Sequence, residues 1–246
     1  MLPLIMVSLM GLPQAQDKPI EPTVTPSGFL NKEIRVHDRA YRYVVYVPRQ
    51  YEAATKWPCI VFLHGAGECG TDGLKQVAQG IGTAILLEQR RWPAIVVMPQ
   101  KPDVKDAWED HDAAVMAMLE ATIAEYNIDP DRLYLTGLSQ GGHGAWIIGA
   151  RHSDRWAAVV PICGYGAPEA VLPLKDTPVW CFHGGADEVV PPDRSQSIID
   201  ALIAAGGTPK LTIFPGVGHN SWDKAYRDPE LAAWLFTQRK AKTAKP

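Results

Sequence analysis

The sequence predicts a three-layer α/β fold, in which one mostly parallel β-sheet lies between two layers of helices. Short apolar segments without polar alternation recur along the chain, which is typical of strands buried on both faces. Segments of helical length separate most of them, as expected for parallel strands joined by crossover connections. Hydrophobic residues make up 46% and charged residues 21% of the 246 residues, which is usual for a globular protein.

Eight strands are predicted. The first two form an antiparallel hairpin, because β-branched and aromatic residues alternate with polar ones around a short polar turn. The other six are the buried apolar segments, which form the parallel part of the sheet. In chain order, the predicted strands are residues 34–36, 41–47, 59–63, 95–98, 133–136, 157–162, 179–182 and 211–214.

Helices are predicted between these strands. The clearest has apolar residues at helical spacing and two acidic residues at its start, where the helix dipole favours negative charge. The connection between the sixth and seventh strands is short, so we expect no sizeable cap domain. The predicted helices are residues 74–87, 110–126, 141–150, 194–205 and 230–242.

Charge and cysteine content exclude several classes of protein. The chain has 24 basic and 27 acidic residues and a net charge of −3, which argues against a nucleic-acid-binding surface. Its four cysteines are too sparse for a disulfide scaffold, and their spacing is not that of a zinc site. We therefore expect no metal, and a disulfide between Cys69 and Cys163 is left open.

The N-terminus carries an apolar stretch at residues 2–12, followed by Ala15. It is too short to cross a membrane and is typical of a secretory signal peptide, although no basic residue precedes it. The alternatives are a disordered or packed N-terminal arm and a start codon that is assigned too late. We expect residues 1–16 to be a signal peptide, 17–28 a linker and 29–246 a single domain, which predicts a secreted or periplasmic protein without stable membrane insertion.

The segment Gly137-Leu138-Ser139-Gln140-Gly141 lies between a predicted strand and a predicted helix. In this Gly-x-Ser-x-Gly pattern the glycines remove the Cβ atoms that would collide when the chain reverses sharply. The turn would hold Ser139 at the carboxyl end of the sheet, where open α/β sheets bind ligands. Ser139 is therefore the predicted nucleophile, and the alternative is a glycine-rich turn with an idle serine.

A nucleophilic serine needs a general base and an acid that orients the base. Among the seven histidines, His219 lies after the last strand, where the base belongs if the chain order is nucleophile, acid, base. Asp187 follows the seventh strand and is the predicted acid. Glu188, one residue further on, is its main competitor.

Structural roles are predicted for several other histidines. His64 directly precedes a glycine-rich loop, and we expect its side chain to fix that loop by a hydrogen bond. His183 lies at the end of the seventh strand and is expected to brace the loop that carries the acid. His111 and His152 are expected on the surface.

The glycine-rich loop at residues 64–68 follows the third predicted strand. Glycine lets the backbone come close to a substrate and directs an amide at the oxygen that becomes negative in a tetrahedral intermediate. The backbone amides of Ala66 and Gln140 are the predicted oxyanion hole. The alternative is an ordinary glycine-rich turn.

Two tryptophans are candidates for an aromatic wall of the substrate site. Trp108 follows the fourth strand, and Trp222 lies three residues after His219. An aromatic wall would suit an acyl or phenolic group. Packing in the core or at the rim of the site is the alternative for each.

Taken in order, several segments resemble the α/β-hydrolase superfamily, in particular its prolyl-oligopeptidase-like and polyhydroxybutyrate-depolymerase-like carboxylesterase branch. The sequence departs from this branch at Gln140, where methionine is frequent, and at Cys69, where many relatives carry a basic residue. The resemblance covers roughly residues 40–236. The matching segments are residues 43–48, 63–68, 128–132, 135–139, 161–164, 182–187 and 218–222.

The resemblance implies a Ser-His-Asp hydrolase without metal or organic cofactor. We expect it to hydrolyse carboxylic esters, carried by a small molecule or a polymer, and to be a monomer or homodimer. The short connection between strands six and seven favours an open cleft and bulky esters, such as acylated or feruloylated polysaccharide. The alternatives are a prolyl-oligopeptidase-like peptidase and a binding module without activity.

Overall fold

The computed structural model describes residues 25–240. The predicted signal peptide, and residues 17–24 of the predicted linker, lie outside the described residues. The strands are β1 Gly28–Val36, β2 Arg39–Val47, β3 Trp57–Leu63, β4 Ile95–Pro99, β5 Ile128–Leu138, β6 Ala158–Ile162, β7 Trp180–Gly184 and β8 Lys210–Phe214. The helices are α1 Ile81–Leu87, α2 Asp112–Glu125, α3 Gln140–Arg151, α4 Asp193–Ala204, α5 Ser221–Arg227 and α6 Pro229–Thr237.

The eight strands form one sheet in the order β1-β2-β4-β3-β5-β6-β7-β8. β1, β2 and β4 pair antiparallel, and the strands from β4 to β8 pair parallel. The eight-stranded, mostly parallel sheet is therefore confirmed. Because β4 and β5 lie on opposite sides of β3, the strand order reverses there, and a crevice opens at the carboxyl ends of β3 and β5.

Helices cover both faces of the sheet. Side chains of α2, α3 and α4 belong to the hydrophobic core on one face, and those of α1, α5 and α6 to the core on the other. Every residue of β3 and β4 is buried, which explains why these strands read as unbroken apolar segments. Each large apolar side chain buried in this way contributes about 1.5–3 kcal/mol to stability.

The connection between β6 and β7 contains a short 3₁₀ helix, Pro168–Leu174. In the part of the chain that the structure describes, no cap domain covers the carboxyl edge of the sheet, as predicted. None of the helices within residues 25–240 is both long and apolar enough to cross a membrane.

Two predicted helices differ from the structure. The segment 74–87 contains a 3₁₀ turn, Lys75–Val77, and α1, which are separated at Gly80, where φ is 61°. The final helix was predicted to reach Lys242, and that boundary is wrong. Its chain leaves the helix at Gln238, whose carbonyl accepts the hydroxyl of Tyr134, so a tertiary contact replaces the next helical turn.

Candidate active site

Ser139 lies at the sharp turn between β5 and α3. Its φ of 54° and ψ of −117° are rare for a residue with a side chain and cost of order 1–3 kcal/mol. Two hydrogen bonds of 3.0 Å hold the turn: the amide of Ser139 donates to Ile162, and its carbonyl accepts the amide of His143. Strand β6 and helix α3 therefore fix the strained residue from both sides.

The glycines around Ser139 are required by close backbone packing. A Cβ atom placed on Gly141 would lie 1.9 Å from the carbonyl oxygen of Leu63, and one on Gly137 would lie 2.1 Å from that of Gly141. Neither distance is possible for a real side chain. The Gly-x-Ser-x-Gly pattern thus reflects the contact between the turn and the end of β3.

Ser139, His219 and Asp187 form one chain of hydrogen bonds at the carboxyl edge of the sheet. Nε2 of His219 lies 2.9 Å from Oγ of Ser139, and its Nδ1 lies 2.7 Å from Oδ2 of Asp187. Since an ionised carboxylate can only accept, Nδ1 donates to Asp187 and Nε2 is left to accept the serine hydroxyl proton. The connections after β5, β7 and β8 bring these three residues together.

The carboxylate of Asp187 is buried and fully engaged. Its Oδ1 accepts the backbone amides of Val189 and Val190, each at 2.9 Å. Burial raises the pKa of Asp187, but the hydrogen bonds from His219 and from the two amides outweigh it, so the pKa lies below its ordinary value. The group is therefore ionised at neutral pH and suited to hold an imidazolium.

In the loop after β7, Asp187 and the alternative acid Glu188 differ in their exposure to solvent. Glu188 is exposed, whereas the side chain of Asp187 is 0% exposed. His183 is buried, with its Nδ1 2.7 Å from Oγ of Ser195 and its Nε2 2.9 Å from the carbonyl of Val190. His183 thus braces the acid loop, as the sequence predicts.

The loop after β3 lies directly against Ser139. A Cβ atom placed on Gly65 would lie 3.5 Å from Cβ of Ser139. Ala66 begins a 3₁₀ helix, Ala66–Glu68, and Gln140 begins α3, so both amides lack a partner within their helices. Within residues 25–240, neither amide donates to a backbone acceptor, and the role of the two amides as oxyanion donors stays a prediction.

His64 fixes this loop by the hydrogen bond that the sequence predicts. Its Nε2 accepts the amide of Lys101 at 2.9 Å, so the proton is on Nδ1, which donates to the carbonyl of Gly65 at 2.6 Å. Burial lowers the pKa of His64 to about 4. The imidazole is therefore neutral at pH 7 and serves as a fixed bridge between two segments of backbone.

This arrangement agrees with a family match. Residues 98–233 match the model of the dienelactone hydrolase family, which is more than half of the chain and includes Ser139, Asp187 and His219. The chain belongs to the dienelactone hydrolase family. Its fold is that of the α/β-hydrolases, as the resemblance implied.

This member of the dienelactone hydrolase family has several curated relatives. It is 30% identical to Putative esterase NocK of Nocardia uniformis subsp. tsuyamanensis over 170 residues, which cover 63% of this chain and 48% of the relative. It is 28% identical to feruloyl esterase B of Neurospora crassa over 147 residues, covering 52% of this chain and 48% of the relative. The match thus spans about half the length of these relatives.

Solved structures show the same architecture. The crystal structure of a thermostable esterase is 32% identical, with a TM-score of 0.79, and the match covers 86% of this chain and 63% of that one. A CE1 ferulic acid esterase from the anaerobic fungus Anaeromyces mucronatus is 17% identical, with a TM-score of 0.67 and coverage of 84% and 90%. The second likeness concerns the fold alone.

Trp108 does not line the substrate site of this dienelactone hydrolase family member. It is 1% exposed, its indole donates to the carbonyl of His64 at 3.0 Å, and its Cβ packs closely on Gly144 of α3. The prediction of an aromatic wall is therefore wrong for Trp108.

The surface position predicted for His111 is also wrong, because its ring is buried and lies 3.0 Å from the carboxylate of Asp106.

Trp222 lies beside the imidazole of His219. The two ring centroids are 5.4 Å apart and the rings are perpendicular. The indole nitrogen donates to the side chain of Gln79 at 3.3 Å, which fixes the ring at the edge of the site. A contact between Trp222 and substrate stays a prediction.

Cys163 lies beside the site. The thiol of this buried residue lies within 4.8 Å of ligand-type atoms of Asp187 and His219. Burial raises its pKa to about 12, and an ion bound here would compete with the hydrogen bond between Asp187 and His219. Cys69 and Cys163 are both free thiols, so the disulfide left open by the sequence is absent.

A cleft of about 720 Å³ opens beside the site. His143, which stacks on Tyr165 with ring centroids 4.7 Å apart, forms one wall. Another part of the lining, residues 189–191, closely follows Asp187 in the chain. The cleft is lined by His143, residues 165–168, residues 189–191 and Arg194.

Proposed function

We propose that this protein is a serine carboxylesterase that hydrolyses carboxylic esters through an acyl-enzyme. The observation that carries the proposal is the unbroken hydrogen-bond chain from Oγ of Ser139 through His219 to Asp187, with distances of 2.9 and 2.7 Å. The curated relatives and solved structures named above are esterases by their printed names, which supports the same reaction class.

Acylation uses the side chains of this hydrogen-bond chain in order. Nε2 of His219 accepts the proton of Ser139 as Oγ attacks the acyl carbon, and Asp187 stabilises the imidazolium that results. The negative carbonyl oxygen is bound by the amides of Ala66 and Gln140. The imidazolium then donates its proton to the leaving alcohol, and the acyl group stays on Ser139.

Deacylation repeats these steps with water. His219 removes a proton from a water molecule, which attacks the acyl carbon while the same two amides bind the oxyanion. The proton returns to Oγ of Ser139 as the acid leaves. No other acid or base is needed, since His219 alternates between the two roles.

The open edge of the sheet favours bulky esters. The cleft of about 720 Å³ begins one helical turn from Ser139, because His143 both lines it and donates its backbone amide to Ser139. The flat stack of His143 and Tyr165 suits an aromatic acyl or phenolic group. We propose feruloyl or acyl esters of polysaccharides as the substrate class, in keeping with the printed name of feruloyl esterase B.

A comparison of esters with an amide tests the reaction class. Purified protein is assayed on p-nitrophenyl acetate, methyl ferulate, feruloylated arabinoxylan, a long-chain lipid emulsion and a proline p-nitroanilide, beside the Ser139→Ala variant. We expect turnover of esters, faster turnover of methyl ferulate than of long-chain lipid emulsions, and loss of all turnover in the variant. Faster cleavage of the anilide than of any ester would establish a peptidase instead, and no turnover of any substrate would favour a binding module.

We also propose that the protein is exported. The apolar stretch at residues 2–12, followed by Ala15, supports this because it matches the hydrophobic region and small residue of a signal peptide. Expression of the full chain in a bacterial host, fractionation and mass measurement of the N-terminus test the proposal. We expect an extracytoplasmic protein that lacks residues 1–16, and an intact chain in the cytoplasm would contradict it.

A further inference from the structure

We propose that Lys101 is a positioning residue that holds both donors of the oxyanion hole in place. Its side chain fixes Gln140, and its backbone fixes the loop that carries Ala66. The inference rests on the proposed esterase function. Lys101 itself touches no reacting atom, so its effect on the reaction passes through Gln140 and His64.

The ammonium group of Lys101 is buried and fully paired. The residue is 1% exposed, which is rare for lysine. Its Nζ donates to the carbonyl of Asp103 at 2.9 Å, to the carbonyl of Asp106 and to Oε1 of Gln140 at 3.1 Å. These three acceptors match the three protons of an ammonium group, so the side chain has one defined position.

Gln140 is held at both ends of its side-chain amide. Oε1 accepts from Lys101, and Nε2 donates to the carbonyl of Val104 at 3.1 Å. Lys101 and Val104 belong to the same loop after β4. Because Gln140 is the first residue of α3, anchoring its side chain on this loop also sets the direction of its backbone amide, which is the proposed second donor.

The backbone of Lys101 closes the loop that carries the first donor. Its amide donates to Nε2 of His64 at 2.9 Å, and its carbonyl accepts the amide of Gly70 at 3.0 Å. His64 in turn donates to the carbonyl of Gly65. The two ends of the segment 64–70 are thereby tied to one residue, and Ala66 lies between them.

Loss of the ammonium group is therefore expected to weaken the oxyanion hole rather than substrate binding. Complete removal of one oxyanion donor lowers kcat by about 10²–10³-fold. A donor that is displaced, rather than removed, keeps part of its effect on the transition state. We therefore expect Lys101→Met to lower kcat by roughly 10- to 100-fold, with KM within about 2-fold of wild type. Lys105→Met is the matched control, because Lys105 is an exposed lysine in the same loop and is expected to keep full activity.

The sharpest readout compares an ester with the thionoester of the same acid and alcohol. Sulfur is a weak hydrogen-bond acceptor, so an intact oxyanion hole favours the oxygen ester. If Lys101 positions the donors, the ester-to-thionoester ratio of kcat falls in Lys101→Met and not in Lys105→Met. A drop in kcat with an unchanged ratio would assign Lys101 a merely structural role and overturn the proposal.

The variant Gln140→Leu gives a second test that does not depend on the folding of Lys101→Met. It removes the side-chain contact with Lys101 and leaves the backbone amide, so we expect a similar fall in kcat and in the ratio. In the double variant the losses are expected to be non-additive. Wild-type values in Gln140→Leu would contradict the proposal, whereas absence of ester hydrolysis by the wild type would instead contradict the proposed function.

Discussion

Nδ1 of His219 lies 2.7 Å from Oδ2 of Asp187, while the other oxygen of the same carboxylate accepts the amides of Val189 and Val190. One oxygen thus orients the imidazole and the other is used by the acid's own loop. Because the two valines directly follow Asp187, the loop itself helps to set the direction of the carboxylate, and the buried imidazole of His183 lies 3.2 Å from Oδ2. The tautomer of His219 therefore depends on the placement of this carboxylate.

The variant Asp187→Asn tests this dependence. An amide at this position favours the wrong tautomer of His219, with Nε2 protonated and unable to accept from Ser139. We expect kcat to fall by about 10⁴-fold with little change in KM. Steady-state kinetics on p-nitrophenyl acetate measure both. Glu188→Gln is the matched control and is expected to keep wild-type kinetics, and equal losses in the two variants would rule out the assignment of the acid.

The strained backbone at Ser139 predicts a difference between two inactive variants. Ser139→Gly relieves a φ of 54°, whereas Ser139→Ala keeps the strain. We expect the glycine variant to be more stable than the alanine variant by about 1 kcal/mol in the free energy of unfolding, the reverse of the order in an ordinary helix. Urea unfolding of both variants checks this, and a more stable alanine variant would mean that the residue is unstrained.

Close packing behind the nucleophile predicts which glycines of α3 tolerate a methyl group. A Cβ on Gly141 would collide with the backbone of Leu63, while one on Gly149 would meet Val159 at 3.4 Å, an ordinary contact. We expect Gly141→Ala to lose about 3 kcal/mol or more of stability. Gly149→Ala should be neutral or stabilising by up to about 1 kcal/mol. Thermal unfolding of both variants distinguishes them, and equal tolerance would contradict the described packing.

Burial of His64 predicts a pH dependence of stability. Its pKa is lowered from 6.5 to about 4, so between these values the unfolded chain binds a proton that the folded protein excludes. The free energy of unfolding is therefore unaffected by this group above pH 6.5. It falls as the pH decreases toward 4, by about 3 kcal/mol in total. Urea unfolding at pH 7 and pH 5 should show a smaller decline in His64→Asn than in the wild type. His37→Gln, which alters an exposed hairpin histidine, should behave as the wild type, and an unchanged slope in His64→Asn would refute the assignment.

The sheet and the positions of Ser139, Asp187 and His219 could be predicted because their signals are local. Buried apolar strands and a Gly-x-Ser-x-Gly turn can be recognised within short stretches of sequence. Parallel topology then places the carboxyl ends of β5, β7 and β8 at one edge of the sheet. Lys101 and Trp108 could not be placed, because their burial depends on how the loop after β4 packs against the segment that follows β3. A lysine gives no sequence signal of burial when its partners are backbone carbonyls of its own loop and an amide side chain distant in sequence.

The predicted end of the final helix was wrong for a related reason. The final helix ends where Gln238 and Arg239 contact Tyr134 and Asp129, contacts that lie more than one hundred residues apart in sequence. The composition of residues 238–242 is compatible with a helix, so tertiary hydrogen bonds and an ion pair decide the outcome. Helix α5 was missed because its seven residues are too few to show a helical period.

Active-site labelling tests the central claim most directly. The purified protein is treated with a fluorophosphonate probe at neutral pH, and the modified residue is located by peptide mass spectrometry in the wild type, in Ser139→Ala and in His219→Asn. We expect stoichiometric labelling of Ser139 in the wild type, none in Ser139→Ala and greatly slowed labelling in His219→Asn. Labelling of another residue, or equal rates in the wild type and His219→Asn, would contradict activation of Ser139 by His219.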